Sequence, residues 1–515
     1  MSRIWREVVP AGTLGLIGCF AFVHLMAVPA FEDEGTQLRW IARLLQAGEW
    51  QLSVHAGKPL EALPMAPLYP LVTHPLVAIR ALHVLAGIIG ALLVYRVGLR
   101  IADRTTAWVA GMLFAICPFV VYLQRFALSD ILLCSAGIWV LTSVLRLVES
   151  PSARGAGALA LALILAACCK LPGFVFLLAL PLAVALMPGD QRRTLLRQPG
   201  AVRLLVAAVV PVVLLGLAML VVAAIRVRRG QDPGFGLADV HGIALGGYAA
   251  LGAGGSQPRP HLLGELTAQL STPVVGAGLV GVLASAILGD WRQRWLLAVG
   301  ALPLLAIVLL AHYWFSRYLL FTLPPLMVAA VCGWRALAAR AGRLRSVCEL
   351  GVLGVCGVLM ARQSALLILD PLAASWSPLD RYQYFEGPGS GYGYPQAAAF
   401  ILASRSTPAA IYSLDGHGAY QLLTYLPREW RARVEPIFYG RDGRTLRTEQ
   451  ERLDSLLQSH PTWIVMSQQL LQRYLIMTFG RDGASRVELR QIALFAKPGD
   501  GGQLALYEIA SSARQ

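Results

Sequence analysis

Three consecutive acids, Glu32, Asp33 and Glu34, close the first long apolar run of the chain, in "AVPAFEDEGTQLRW". A carboxylate costs on the order of 2.5–3.5 kcal/mol at mid-bilayer and less towards the edge. Asp33 stands where a helix N-cap would, with Glu34 favourable to the helix dipole. One cap needs one carboxylate, so that reading leaves two acids over. A second acidic site, Asp130, follows Arg125 in "YLQRFALSDILLC" and abuts the next apolar run. It could cap that run or pair with Arg125. Two acidic sites on different helices at membrane depth suit one polar pocket. Cations accompany them: Lys58 in "HAGKPLEALPMAPLYP", Arg80 in "HPLVAIRALHVLAG", Arg317 after "HYWFS", and "RVRRG" at 226–230. Any one of these could snorkel to lipid headgroups. Together with the acids they suit an anionic ligand carrying a phosphate at the lipid interface. Arg125, His312 and Tyr313 are candidates for further substrate contacts.

The elements that must position these residues are membrane spans. The 515 residues are 56% hydrophobic and only 14% charged, which belongs to a polytopic membrane protein and not to a soluble enzyme. The net charge of +15 does not indicate nucleic acid, because the basic residues fall in short loops between apolar runs. Runs of spanning length lie near 11–30, 76–99, 106–123, 128–147, 155–170, 173–188, 201–225, 273–289, 295–311, 317–333 and 346–369, about eleven helices by the ~20-residue criterion. The first is read as an uncleaved span with Arg3 and Arg6 inside. Alternate loops then hold the arginine clusters, among them Arg192, Arg193 and Arg197, and Arg335, Arg340, Arg343 and Arg345. Only two spans across 155–188, turning at "CKLPGF", keep those clusters on the cytoplasmic side.

The expected organisation is a transmembrane domain over residues 1–369 with outer loops 31–75 and 226–272. An extracytoplasmic α/β domain follows over 370–515. Within the first loop, "TQLRWIARLLQAGEW" reads as an amphipathic helix lying in the membrane interface. "AAIYSL", "VEPIFYG" and "TWIVMS" read as strands, "TEQERLDSLLQSH" as a helix, and "QIALFAKPGDGGQLALYEI" as a hairpin. "RYQYFEGPGSGYGYPQ" reads as a Gly/Tyr-rich loop at the membrane face. The eight cysteines lie in or beside apolar runs without zinc-site spacing and read as buried thiols.

These motifs resemble the membrane glycosyltransferases of the GT-C fold, in particular glycosyltransferase family 39, with its protein O-mannosyltransferases and bacterial aminoarabinose transferases. The resemblance rests on "DEG" after the first span, "GKP" in the first loop, "AIRALHVLAG", "CPFVVYLQRFALSD" and "SRYLLFTLPPL". It covers residues 1–150 and 310–330, and only the hydropathy between them. "MAPLYP" stands where the family more often has "PPL". The C-terminal pattern differs from the β-trefoil insert of the eukaryotic members, which argues against assuming a protein acceptor.

The resemblance implies a sugar donor on a polyprenyl phosphate, with Asp33 as the catalytic acidic residue, Glu34 beside it and Asp130 as the second acidic position. It puts Lys58, Arg80 and Arg317 near the donor phosphate. Breaking a sugar–phosphate bond releases a stable anion, so no general acid is needed, in contrast to the glycosidases. A base for the acceptor hydroxyl and cations for the phosphate suffice. The expected enzyme is inverting and needs no cofactor, although Asp33, Glu34 and Asp130 could hold a divalent cation as oxygen ligands. Its partners would be membrane lipids, the lipid-linked donor and a glycan, lipid or protein hydroxyl, and its place the bacterial plasma membrane. The competing readings are a transporter or flippase of lipid-linked sugars and a non-catalytic binder of them. Transporters more often carry related halves and polar groups near the midplane.

Overall fold

The computed structural model describes residues 3–229, 261–310, 315–404, 408, 410–413, 418–436, 462–472, 475, 488–499 and 502–509. Each of the eleven apolar runs carries helix, and the chain is an all-α polytopic membrane protein with a small C-terminal sheet. Among the described residues six helices are long and apolar enough to cross a membrane, or eight if each of two bent pairs is one span. The helices that position the site begin with α1 (Arg3–Cys19), α2 (Glu32–Ala47) and α3 (Pro75–Ile101), of which α3 is long enough to span. The run 106–123 is broken into α4 (Arg104–Ala115) and α5 (Pro118–Leu123). Pro118 has no N–H and forces Cys117 into an extended backbone, so helix cannot run through.

α6 (Ser129–Glu149) carries Asp130 in its first turn and Arg146 in its last, each sign matched to the helix dipole. α7 (Ala153–Cys169) stops at Lys170, whose backbone is extended. The Gly173 N–H then closes a turn on the Lys170 carbonyl at 2.8 Å. A methyl group at Gly173 would strike the Ala166 carbonyl, so the chain doubles back here. Residues 155–188 are therefore two segments, as the charge bias required. Further along, α8 (Thr272–Leu288) and α9 (Leu323–Arg340) cross where Gly281 meets Gly333, small residues that let helix backbones touch. α10 (Arg345–Leu369) is the last long helix among the described residues.

The chain divides into two compact units. The first is Met1–Leu25, Trp50–Pro64 and Arg80–Ser377. Its helix ends form two ionic layers. In one layer Glu149 pairs with Arg100 at 2.6 Å and with Arg292 at 3.1 Å, and Arg335 pairs with Asp103 and Glu349. The other layer contains Asp130. Asp130 and Glu149 lie on the same helix, about 28 Å apart at 1.5 Å per residue, close to the thickness of a bilayer core.

The second unit is Met26–Glu49, Met65–Ile79 and Pro378–Gln515. Its five-stranded sheet has the order β2-β1-β3-β5-β4, from β1 (Ala410–Ser413), β2 (Val434–Pro436), β3 (Thr462–Ser467), β4 (Leu489–Ala496) and β5 (Gln503–Ile509). β1 runs parallel to β2 and β3, and β4–β5 is the expected antiparallel hairpin. Tyr412, Ile464, Met466 and Ala505 form the core on one face. The helix expected in "TEQERLDSLLQSH" lies outside the described residues. So does most of the loop 226–272; helix continues to Arg228 before it and resumes at Leu262–Leu270 after it. The Gly/Tyr-rich "loop" is partly helical, with turns at Pro378–Arg381 and Tyr382–Glu386.

α2 departs from expectation at its start. It begins at Glu32, so all three acids lie inside its first turn. Leu38 and Ile41 of its apolar stripe are buried, Leu45 is exposed, and α2 packs on α11 (Gly418–Leu423).

Candidate functional site

In the first unit a continuous line of charged and aromatic groups runs across four chain segments. Lys58 lies 3.7 Å from Glu61, which is buried. Glu61 accepts the Ser129 N–H at 2.8 Å, one of the N–H groups that the start of α6 leaves without a helical partner. The next residue, Asp130, is also buried, and its carboxylate lies 2.9 Å from the Lys170 ammonium. Lys170 in turn stands 4.5 Å from the centre of the Tyr318 ring. Arg317 shares that ring at 5.7 Å and stands 4.8 Å from the Phe315 ring. Cations over aromatic faces gain about 0.5–2 kcal/mol, most when water is excluded.

Asp130 thus pairs with Lys170 and not with Arg125, the partner that proximity in sequence suggests. Arg125 donates instead to the carbonyls of His24, at 2.6 Å, and Leu367, at 3.1 Å. Arg80, buried at 1% exposure, donates to the Leu25 carbonyl at 2.5 Å and lies over the Phe126 ring at 5.2 Å. These two arginines pin the end of the first span. His24 has φ 51°, a left-handed backbone that costs a side-chain-bearing residue about 1–2 kcal/mol. Reasoning from sequence missed Lys170 and Glu61. Lys170 is the one charged residue between 155 and 188, and Glu61 stands three residues after Lys58; both were legible as signals. His312 and Tyr313 lie outside the described residues.

In the second unit the acids divide their work. The N-cap of α2 is Phe31, not Asp33. Glu34, fully buried, reaches back to accept the Phe31 N–H at 2.9 Å, the carboxylate half of a capping box. Asp33 is half-buried in the same turn. Further along the helix, burial pushes the Arg39 guanidinium down and the neighbouring Tyr420 hydroxyl up to about 12.

Residues 59–219 match the family model described as dolichyl-phosphate-mannose-protein mannosyltransferase. That stretch contains Glu61, Arg80, Arg125, Asp130 and Lys170. The ArnT of Cupriavidus metallidurans bound to undecaprenyl phosphate superposes with a TM-score of 0.62 at 14% identity, over 100% of this chain and 99% of that one. The chain has the GT-C fold. The apo form of the same ArnT gives a TM-score of 0.59 at 14% identity, over 99% of each chain. The GT-C fold is also shared with the oligosaccharyltransferase AglB of Archaeoglobus fulgidus, in complex with an inhibitory peptide and a dolichol-phosphate, at a TM-score of 0.54 and 12% identity over 98% of this chain and 74% of that one. No curated protein sequence matches the chain.

Proposed function

We propose that the protein is a glycosyltransferase that moves a sugar from a polyprenyl-phosphate donor to an acceptor hydroxyl on the extracytoplasmic side of the plasma membrane. The observation that carries this reading is the line from Lys58 through Glu61, Asp130 and Lys170 to Arg317 at one end of the first unit's helices. Three cations and two acids leave one positive charge there, which matches a sugar phosphodiester. Ionisable groups gathered at one helix end, and not at the midplane, favour an enzyme over a transporter. The GT-C fold supports the same class, and the ArnT and AglB structures hold undecaprenyl phosphate and dolichol-phosphate.

In this mechanism Asp33 is the general base. The acceptor oxygen attacks the anomeric carbon on the face opposite the phosphate, and its proton passes to the Asp33 carboxylate. The bond from that carbon to the phosphate oxygen breaks, and the electron pair leaves with the polyprenyl phosphate. The configuration inverts. Lys58, Arg80 and Arg317 take up the charge on the leaving phosphate, and Lys170 joins them through its place beside Asp130. No metal is required by this scheme. The ionic layer with Glu149, Arg100 and Arg292 faces the cytoplasm, where the positive-inside rule puts arginine-rich loops. Purified protein supplied with a panel of undecaprenyl-phosphate-linked hexoses and pentoses should release undecaprenyl phosphate and glycosylate an acceptor. Movement of the lipid-linked sugar across vesicles without turnover would establish the transporter instead.

A further inference from the structure

The second unit holds the chain segment just before Asp33 with unusual completeness. The Ala30 N–H donates to the Tyr425 hydroxyl at 2.7 Å, and the Ala30 carbonyl accepts the Gln421 amide at 2.8 Å. The Phe31 N–H goes to Glu34, and the Phe31 carbonyl accepts the Gly35 N–H at 3.0 Å. The Glu32 N–H, otherwise an orphan of the helix start, donates to the Gly389 carbonyl at 3.0 Å. Every backbone polar group from Ala30 N–H to Glu32 N–H therefore has a protein partner. The Phe31 ring lies 4.9 Å from the Tyr384 ring.

The other side of this seat is itself fixed. Gln421 also donates to the Gly389 carbonyl at 3.1 Å. The buried Lys497 ammonium gathers the carbonyls of Gly387, Pro388 and Ser390, at 2.8, 3.1 and 3.4 Å. A methyl group at Gly391 would strike the Ala30 carbonyl, and one at Gly389 would strike the Glu32 side chain. At Gly391 the clash is with backbone, so only glycine fits there; at Gly389 the Glu32 carboxylate would have to swing aside.

We infer that the C-terminal domain works as a positioning device for the base: Gln421 and Tyr425, backed by the Lys497-held loop 387–391, set the rotation of the α2 N-terminus that carries Asp33. This rests on the reading of Asp33 as general base. The anchored backbone begins three residues before Asp33 and ends one before it. A rigid seat there fixes the direction of the Asp33 side chain without touching substrate. Misplacing a reacting group by about 1 Å costs on the order of 10²-fold in rate.

The test uses the full-length protein with Tyr425→Phe, Gln421→Leu and Gly391→Ala. The first removes one hydroxyl. The second removes one amide. The third presses on Ala30 from the opposite side. With the best donor of the undecaprenyl-phosphate-sugar panel, kcat should fall about 10–100-fold in each, while the donor KM stays within about twofold and each variant stays folded at the assay temperature, Gly391→Ala melting lowest because its added methyl meets the Ala30 backbone. Affinity for undecaprenyl phosphate alone should match the wild type. Wild-type kcat in both Tyr425→Phe and Gln421→Leu overturns the inference, as does a loss confined to donor KM or explained by unfolding. Asp33→Asn serves as the control. If it is inactive while the Tyr425 and Gln421 variants are normal, the inference fails and the base assignment stands. If it is fully active, both fall together.

Discussion

The Lys170 ammonium and the Asp130 carboxylate meet at 2.9 Å, joining the turn after one span to the first turn of another. Both side chains are largely buried, at 14% and 7% exposure. Removing one partner of a buried pair typically costs about 3–5 kcal/mol, because the other charge is left without compensation. Lys170→Met should therefore melt well below wild type in detergent. The double variant Asp130→Asn/Lys170→Met should recover most of that loss. Equal melting temperatures for the single and double variants would contradict the pairing.

Phosphate binding should separate the three proposed cations. Arg317→Ala and Lys58→Ala should weaken binding of undecaprenyl phosphate about 10–100-fold, as charge-assisted contacts are worth ~1.5–3 kcal/mol. Arg80 also holds the Leu25 carbonyl, so Arg80→Ala should lower the melting temperature as well. Unchanged lipid binding in all three would remove them from the donor site.

Much of this was legible in the sequence. The eleven apolar runs located the helices, and the arginine bias resolved 155–188 into two segments because a wrong count would reverse every later loop. The acids were legible as costly residues at span ends. The pairing was not. Asp130 meets Lys170, 40 residues away, because the reversal at Gly173 brings the turn beside α6, and spacing carries no record of such a contact. The seat of α2 was illegible for a related reason. An amphipathic stripe announces that it will be covered, but not by what, and Leu38 and Ile41 are buried in a helix that packs on α11.

Topology has a direct check. Arg193 and Arg490 are exposed, in the helix Gly189–Arg197 and in β4. Arg490→Cys should react with a membrane-impermeant maleimide in spheroplasts, and Arg193→Cys only after permeabilisation. The reverse labelling would invert the orientation.

Acid stability should depend on Asp103. Burial raises its carboxyl, but the Thr106 N–H and Arg335 outweigh that and hold it below the usual range. Its stabilising contribution is therefore present above the unfolded value, about 3.9, and is lost as pH falls through the lower folded one. Asp103→Asn should flatten the decline in melting temperature below about pH 4. An unchanged acid limb would show that the N-cap interaction with Thr106 does not depend on the charge.

The central claim is that Asp33 removes the acceptor proton. Asp33→Asn keeps size and hydrogen bonding and deletes the basic oxygen, whereas Glu34→Gln still offers an oxygen to the Phe31 N–H. General-base catalysis contributes typically 10²–10⁴-fold. Turnover of the undecaprenyl-phosphate-linked sugar by Asp33→Asn should drop by about that factor, with undecaprenyl phosphate bound as in wild type and Glu34→Gln much less affected. Normal turnover by Asp33→Asn beside an inactive Asp130→Asn would contradict the account and move the base to Asp130.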